Sequence, residues 1–363
     1  MKLLNVCLVS PLPPPYGGIA HWGGLVTRYA EKVPNIKVTV VNIAPRWRSI
    51  HDLGIIKRII GGGLQLLRDL FRLFLVLLFN QIDVVHLTTP GQLGVLRDVG
   101  VFILTWCFKV PLVYHIRFGR VPDISSRNVA EWRLLKFVAL RAFAVIAIDE
   151  VTGDVLKRNV PKASVVVIPN CVDFSSLPAA NAKSVDYKVV LFVGWVVPTK
   201  GISELLESWS KIRPLGWKLK IIGSSKQDYI DSLLQKYAGV EVEFLGELSH
   251  KATMIAMSEC EIFVLPSYTE GFPNVVLEAM ALGKAIVASN VGAIPEMLSE
   301  DCGLLIKPRE VDELASSLSS LIADEPARKL MGQNARNRAL QLFSLESVFT
   351  TYMSLWRRAG QLE

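Results

Sequence analysis

Short runs rich in apolar, strand-forming residues alternate with longer stretches of helical period along nearly the whole of this 363-residue chain. In the first half the runs are Asn5–Ser10, Val38–Ile43, Val84–Leu87, Leu112–His115, Ala144–Ile148 and Val165–Ile168. In the second half they are Val189–Val193, Leu219–Ile222, Val242–Phe244, Ile262–Leu265, Ala285–Ala288 and Leu304–Ile306. Many are continuous Val, Ile, Leu and Phe, as expected of strands covered on both faces in a parallel sheet. Strand–helix alternation of this kind predicts βαβ units and an open, doubly wound sheet, and here it predicts two of them. Residues 173–186, from Asp173 to Asp186, are small, polar and weakly patterned, and read as a linker. The expected organisation is α/β, with Rossmann-like domains over 1–172 and 188–344 joined by a linker at 173–187. An amphipathic helix at about 345–363 is expected to pack back on the first domain.

One helical stretch breaks the pattern in an informative way. From Ser267 to Gly283 the chain reads Ser-Tyr-Thr-Glu-Gly-Phe-Pro-Asn-Val-Val-Leu-Glu-Ala-Met-Ala-Leu-Gly. Pro273 pushes Phe272 out of the helical region, so the helix is predicted to begin at Pro273 or Asn274. Gly283 suits a left-handed cap at its end. Between Val275 and Leu282 every residue is apolar except Glu278, which predicts a carboxylate inside a packed interior that needs a dedicated partner. Glu270 precedes the helix, whose first free N–H groups attract anions. The layout suits a ligand combining hydroxyls with phosphate. It also suits a buried Glu bonded to backbone, with Glu270 a helix-dipole partner.

Composition narrows the class. The chain is 51% hydrophobic and 20% charged, a core-forming balance. The five cysteines, Cys7, Cys107, Cys171, Cys260 and Cys302, are scattered without a CxxC pair. Neither a disulfide framework nor a zinc site is suggested, and a cytoplasmic location is expected. The N-terminal run reads as a first strand rather than a signal peptide. The apolar stretch Leu73–Phe79 is far shorter than the roughly 20 residues that span a bilayer. Charge is uneven: residues 1–186 hold 22 Lys and Arg against 12 Asp and Glu, and the remainder 18 against 21. A first half at +10 beside a second at −3 suggests an anionic partner for the first lobe, or an ordinary solvated basic surface. With no nucleic-acid motif present, an anionic membrane surface is favoured over nucleic acid, and a peripheral position at the inner face of the membrane follows.

In open parallel sheets ligands bind outside the carboxyl ends of the strands. After the first strand comes a loop with Gly17 and Gly18, whose backbone can approach a phosphate or sugar closely. The fourth ends in His115, followed by Arg117 and Arg120. The seventh runs into Gly194-Trp195 and then Lys200-Gly201, a lysine at the mouth of a helix. The eighth runs into Gly223-Ser-Ser, and the tenth into the Glu270–Glu278 segment. Each signal is weak alone; their placement on the ligand side of two sheets is what joins them.

With these residues in view, the chain resembles the retaining glycosyltransferases of the large family 4, along essentially its full length. The likeness rests first on the Glu-x7-Glu segment, Glu270 to Glu278. It is supported by Gly17-Gly18, His115, Ile168-Pro-Asn170-Cys-Val-Asp173, Lys200-Gly201 and Gly303-Leu-Leu-Ile-Lys-Pro308. The resemblance implies a GT-B fold, two Rossmann-like domains facing across a cleft that closes over the donor. It implies a UDP- or GDP-sugar donor, a glycan or lipid-linked acceptor, and work in cell-surface polysaccharide synthesis. Glu278 would bind the ribose hydroxyls, Glu270 would lie at the donor sugar, and Lys200 would neutralise the leaving diphosphate. Gly17, Gly18, Asn274 and Val275 would offer amides to phosphate and sugar oxygens, with Phe272 and Gly223 also lining the donor. His115 would sit by the sugar. No metal or other cofactor is expected. Retention would follow from front-face attack, with double displacement through a carboxylate as the rival.

One departure stands out: Trp195 occupies a place where the family usually carries arginine. An indole cannot replace a bidentate guanidinium on phosphate. Arg117 or Arg120 would then serve the diphosphate, or Lys200 would act with the helix dipoles alone. A nucleotide-sugar epimerase on the same fold and a catalytically inactive nucleotide-sugar-binding protein are the alternatives. Base selection is expected around Gly223–Ser225 and Gly246–His250. Acceptor selection is expected in the loops Pro45–Leu53 and Arg120–Glu131.

Overall fold

The computed structural model describes residues 2–14, 17–44, 55–178 and 187–361, with backbone alone for 55–60. The loop at Pro45–Leu53 and most of the linker therefore lie outside the described residues. The chain divides into two compact units, 1–170 with 345–363, and 171–344.

The first unit is built on β1 (Leu4–Ser10), β2 (Ile36–Asn42), β3 (Val84–Thr89), β4 (Leu112–Ile116), β5 (Ala144–Ala147) and β6 (Val165–Val167). Its helices are α1 (Gly18–Ala30), α2 (Ile55–Phe79), α3 (Gly94–Cys107), α4 (Val121–Ser126), α5 (Ala130–Ala139) and α6 (Glu150–Asn159). The strands pair in parallel in the order β2-β1-β3-β4-β5-β6. Only the step from β1 to β2 runs against the others, so right-handed crossovers send α1 to one face and α2, α3 and α5 to the other. There α3 packs against both α2 and α5. The central strands β1, β3, β4 and β5 are buried almost throughout. Their unbroken apolar sequence follows from being covered on both faces.

The second unit holds β7 (Lys188–Val193), β8 (Trp217–Ile222), β9 (Val242–Gly246), β10 (Ile262–Leu265), β11 (Ala285–Ser289) and β12 (Leu304–Ile306). Its helices are α7 (Ile202–Ile212), α8 (Gln227–Lys236), α9 (His250–Glu259), α10 (Asn274–Ala281), α11 (Ile294–Met297), α12 (Val311–Ala323) and α13 (Glu325–Phe343). This sheet is also parallel, ordered β12-β11-β10-β7-β8-β9. Sequence order reverses between β7 and β10, which makes the carboxyl ends of those two strands the expected crevice. α10 begins at Asn274 after Pro273, and Gly283 follows its end at φ 68°. A final helix, α14 (Leu345–Ala359), belongs to the first unit and packs against α1, β1 and β4.

All twelve sequence-expected strands are present, with edges shifted by two residues at most. The helix content differs more. Leu73–Phe79 is not an isolated apolar stretch but the last two turns of the 25-residue α2, which continues straight through Gly61, Gly62 and Gly63. Among the described residues no helix is long and apolar enough to cross a membrane.

Candidate active site

In the second unit the chemistry gathers at the β7/β10 switch. β7 delivers a short 3-10 turn, Pro198–Lys200, and Gly201 then caps α7 in the left-handed region at φ 71°. A Cβ on Gly201 would overlap the Pro266 carbonyl, so this position needs both the glycine conformation and its missing side chain. The same approach brings the Tyr268 N–H to the Thr199 carbonyl at 2.9 Å. The loops after β7 and β10 are thereby stitched together, and Lys200 Nζ lies 2.5 Å from Glu270 Oε1. Both side chains are largely but not wholly withdrawn from solvent. Alongside, the Tyr268 hydroxyl donates to Glu204 Oε1 at 2.6 Å, and the Arg309 guanidinium lies over the Tyr268 ring. Burial, then the Glu204 carboxylate, pushes the Tyr268 phenol up to about 12, so it stays a donor.

Glu278 is buried in α10, as its apolar setting requires, and the partner it needs is His250 at the start of α9. The ring Nε2 lies 3.0 Å from Glu278 Oε1, and this bond raises the imidazole pKa above its ordinary value. Ser249 fixes the approach by capping α9 through its bond from Ala252 N–H. Phe272 is buried edge-on against Phe343 at 5.6 Å, which leaves Asn274 and Val275 at the first turn of α10. Gly223, after β8, abuts the next loop so closely that a Cβ would overlap the Gly194 carbonyl. Trp195 projects beside it with 70% of its surface exposed.

In the first unit His115 is not at the surface of its strand end. It is fully buried, with Nδ1 3.1 Å from His86 Nε2 and Nε2 3.3 Å from Arg117 Nη1. Arg117 is buried too, stacked 4.3 Å over the Trp22 ring and donating through Nη2 to Asn170 Oδ1 at 2.6 Å. Burial, then the Arg117 charge, holds His115 well below its usual range and brings His86 down to about 3. Arg120 stands apart from this group, paired with Glu131 at 3.1 Å. Gly17 and Gly18 lie at the start of α1, with His21 N–H donating to the Gly17 carbonyl at 2.8 Å.

The structure thus joins Lys200 to Glu270 and sets His115 beside Arg117. It gives His115 neighbours that sequence reasoning did not select, His86 and Trp22, with Trp356 behind His86, and it makes His250, named only as the end of a base-selection stretch, the partner of Glu278. The one local signal among them was Ser249-His250, a capping serine before a helix, and it says nothing of Glu278.

Residues 173–338 match the model for glycosyl transferases group 1, and residues 25–176 that for glycosyltransferase family 4. An N,N'-diacetylbacillosaminyl-diphospho-undecaprenol alpha-1,3-N-acetylgalactosaminyltransferase of Campylobacter jejuni is 32% identical over 277 residues, 74% of this chain and 71% of that protein. The chain belongs to the glycosyltransferases. An uncharacterised glycosyltransferase of Methanocaldococcus jannaschii is 30% identical over 215 residues, 59% of either chain. This chain thus spans well under two thirds of that relative. Sucrose-phosphate synthase from Thermosynechococcus elongatus superposes with a TM-score of 0.79 at 20% identity, over 99% of this chain and 100% of that one. Anabaena HepE, in complex with UDP, gives 0.75 at 20% identity, over 98% and 100%. The fold of this glycosyltransferase is GT-B.

Proposed function

We propose that this glycosyltransferase moves a hexose from a nucleotide-sugar, UDP- or GDP-linked, to a glycan or lipid-linked acceptor with retention of anomeric configuration. The observation that carries the reading is the Lys200–Glu270 pair at the β7/β10 switch, with Glu278 buried one helix behind it. A cation and a carboxylate side by side suit a diphosphate and a sugar hydroxyl arriving together. Glu278, held at Oε1 by His250, has Oε2 to offer a ribose hydroxyl. Asn274 and Val275 contribute first-turn amides of α10 to phosphate oxygens, and Lys200 takes the charge that grows on the leaving diphosphate. His115 and Arg117, with Gly17 and Gly18, serve the donor from the first unit.

In the step itself the acceptor oxygen bonds to the anomeric carbon on the face the phosphate leaves. The C1–O bond to phosphate breaks, its electron pair goes to the diphosphate, and the acceptor proton passes to a phosphate oxygen. Lys200 and the α10 amides supply charge compensation without a metal, so chelation with EDTA leaves the rate unchanged. HepE with UDP, and a relative whose name includes diphospho-undecaprenol, support the nucleotide donor and a lipid-linked acceptor at the inner membrane face. Work in cell-surface polysaccharide synthesis follows from that acceptor class.

The test combines a thermal-shift screen of UDP, GDP, ADP and their sugars with NMR of the product from a labelled donor. A sugar on the acceptor with its original anomeric configuration supports the proposal. Inverted product overturns retention. Label returning as an isomerised nucleotide-sugar points to an epimerase, and tight binding without turnover points to an inactive binding protein.

A further inference from the structure

We propose that the outer face of α2, α3 and α5 in the first unit is the seat on which the protein rests on an anionic lipid bilayer. The inference deepens the lipid-linked acceptor reading above and rests on it only for the choice of location.

A helix covering one side of a parallel sheet normally turns its polar face to water. These three do not. On α2 the outward positions Leu64, Leu67, Phe71 and Leu78 repeat at helical spacing and are 64%, 65%, 59% and 51% exposed. On α3, and just before it, Leu93, Leu96, Ile103 and Trp106 do the same, with Trp106 at 71%. α5 and the turn after it add Phe137, Leu140 and Phe143. Because α3 packs against both neighbours, the three stripes lie side by side. Helices about 8–10 Å apart, the longest near 37 Å, make one broad apolar plate. Solvated proteins rarely expose contiguous apolar surface on this scale.

The charges decide what covers it. The acids of α2, α3 and α5 are Asp69, Asp98 and Glu131. Asp69 and Asp98 are buried and ion-paired with Arg68 and Arg97, and Glu131 is held by Arg120. The plate therefore meets its partner with cations only: Arg72, Lys109, Arg133 and Arg141 stand among or beside the apolar positions, and Arg141 stacks on Phe137 at 4.0 Å. A second copy docked face to face would oppose these cations to their own equivalents. An anionic bilayer satisfies both halves of the surface, with lipid phosphate for the cations and acyl chain for the Leu and Phe side chains. Trp106 is of the type that partitions to the headgroup level. Leu93 and Leu96 lie at the edge of the plate nearest the carboxyl end of β3. In the strand order β4 is next, with His115 and Arg117 at its own carboxyl end. A lipid-linked sugar held in the bilayer would reach that side of the unit along the Leu93 edge.

The experiment is flotation of the full chain with vesicles of phosphatidylcholine alone or with phosphatidylglycerol, at low and high salt, beside UDP binding and sedimentation without lipid. The expected result is flotation with the anionic vesicles, weakened by salt. Leu67→Asp with Trp106→Asp is expected to abolish it, and Arg133→Glu with Arg141→Glu to reduce it about tenfold, while all variants keep their melting temperature and UDP binding. Flotation unchanged in both double variants overturns the proposal, as does no flotation of the parent. A concentration-dependent dimer without lipid, broken by Leu67→Asp with Trp106→Asp, replaces the bilayer with a second copy. Loss of vesicle binding with UDP binding retained leaves the transferase reading standing; loss of UDP binding in the parent chain strikes that reading alone.

Discussion

Trp356 donates its indole N–H to Nδ1 of His86 at 2.9 Å, across 270 positions of sequence. An indole nitrogen can only donate, so this bond favours the His86 proton on Nε2, the nitrogen that faces Nδ1 of His115 at 3.1 Å, and the His115 proton on its own Nε2. A guanidinium N–H can likewise only donate, and Arg117 Nη1 at 3.3 Å from His115 Nε2 favours the opposite placement. Both rings are neutral, because burial and the Arg117 charge disfavour the imidazolium. The donors at the two ends of the histidine pair therefore compete, and the tautomer of His115 reads which one prevails.

Trp356→Phe keeps most of the ring volume and removes only the donor. With the indole gone the Arg117 bond should prevail, and long-range proton–nitrogen NMR should show the His115 proton shifting towards Nδ1. Turnover is expected to fall about tenfold, the size of one neutral hydrogen bond of roughly 1 kcal/mol with some loss of orientation. A His115 tautomer left unchanged by the substitution would contradict the competition.

The same burial sets an acid limit. His86 and His115 have folded pKa values below the unfolded 6.5, so the unfolded chain binds their protons first as pH falls. Their contribution is fully present above about pH 6.5 and falls as the pH drops below it, for His86 down to about pH 3, at up to about 1.4 kcal/mol per pH unit for each histidine. His250 runs the other way: its raised pKa makes its bond to Glu278 strongest below 6.5 and weaker as pH rises through the raised value. Denaturant melts of the parent and of His250→Gln across pH 4–9 check both signs. The parent should lose stability on the acid side, and the variant should lose the alkaline slope alone.

Much of the scaffold was legible because a buried parallel strand must be apolar on both faces; the central runs of both sheets obey that rule, while β2, β8 and β9 set polar residues at exposed or half-buried positions between Val, Ile, Leu and Phe. α2 was not, since Gly61, Gly62 and Gly63 interrupt helical propensity, yet the helix runs on through them. At the site, Glu278 announced itself as a lone carboxylate among Val, Leu, Ala and Met. Its partner His250 stands 28 positions earlier on another helix, where the capping Ser249 marks a helix start but not a link to Glu278. His86 is hidden more deeply, as one residue inside a strand whose period reveals only that it is a strand. Its meaning comes from Trp356, placed there by the return of α14.

Glu270 holds Lys200 at 2.5 Å, so under the proposed donor site the carboxylate would compete with the diphosphate for the same ammonium. Glu270→Gln should bind nucleoside diphosphate roughly fivefold more tightly, about 1 kcal/mol for a partly exposed pair, while transfer falls. Lys200→Ala should leave donor KM within a few-fold and lower kcat by about 100-fold or more, because its charge matters most as the phosphate leaves. Isothermal titration with UDP and GDP beside steady-state kinetics separates the two. Weaker diphosphate binding by Glu270→Gln would remove the competition.

Glu278→Gln should weaken nucleotide binding by about 1.5–3 kcal/mol, the range for hydrogen bonds to a charged group, or roughly 10- to 150-fold. It keeps the shape of α10 and an acceptor for His250, so the melting temperature should move little. A ribose-specific role predicts a smaller loss for a 2'-deoxynucleotide, since one hydroxyl is already absent. Equal losses for both nucleotides would assign Glu278 to the structure of α10 instead.

Trp195 offers the sharpest gain-of-function test. It lies two residues past β7, is 70% exposed, and its backbone N lies beside Gly223. Replacing it by alanine should therefore cost little stability, within about 0.5 kcal/mol for a surface site. Replacing it by arginine adds a planar cation that can hold two phosphate oxygens at once. If Lys200 and the α10 amides now carry the diphosphate without such a residue, Trp195→Arg should tighten nucleoside diphosphate binding about tenfold, and more steeply at low salt. Titration at two ionic strengths reads the effect directly. If instead the indole stacks on the base, both variants would weaken binding, and the loss would be shared by the nucleoside without its phosphates.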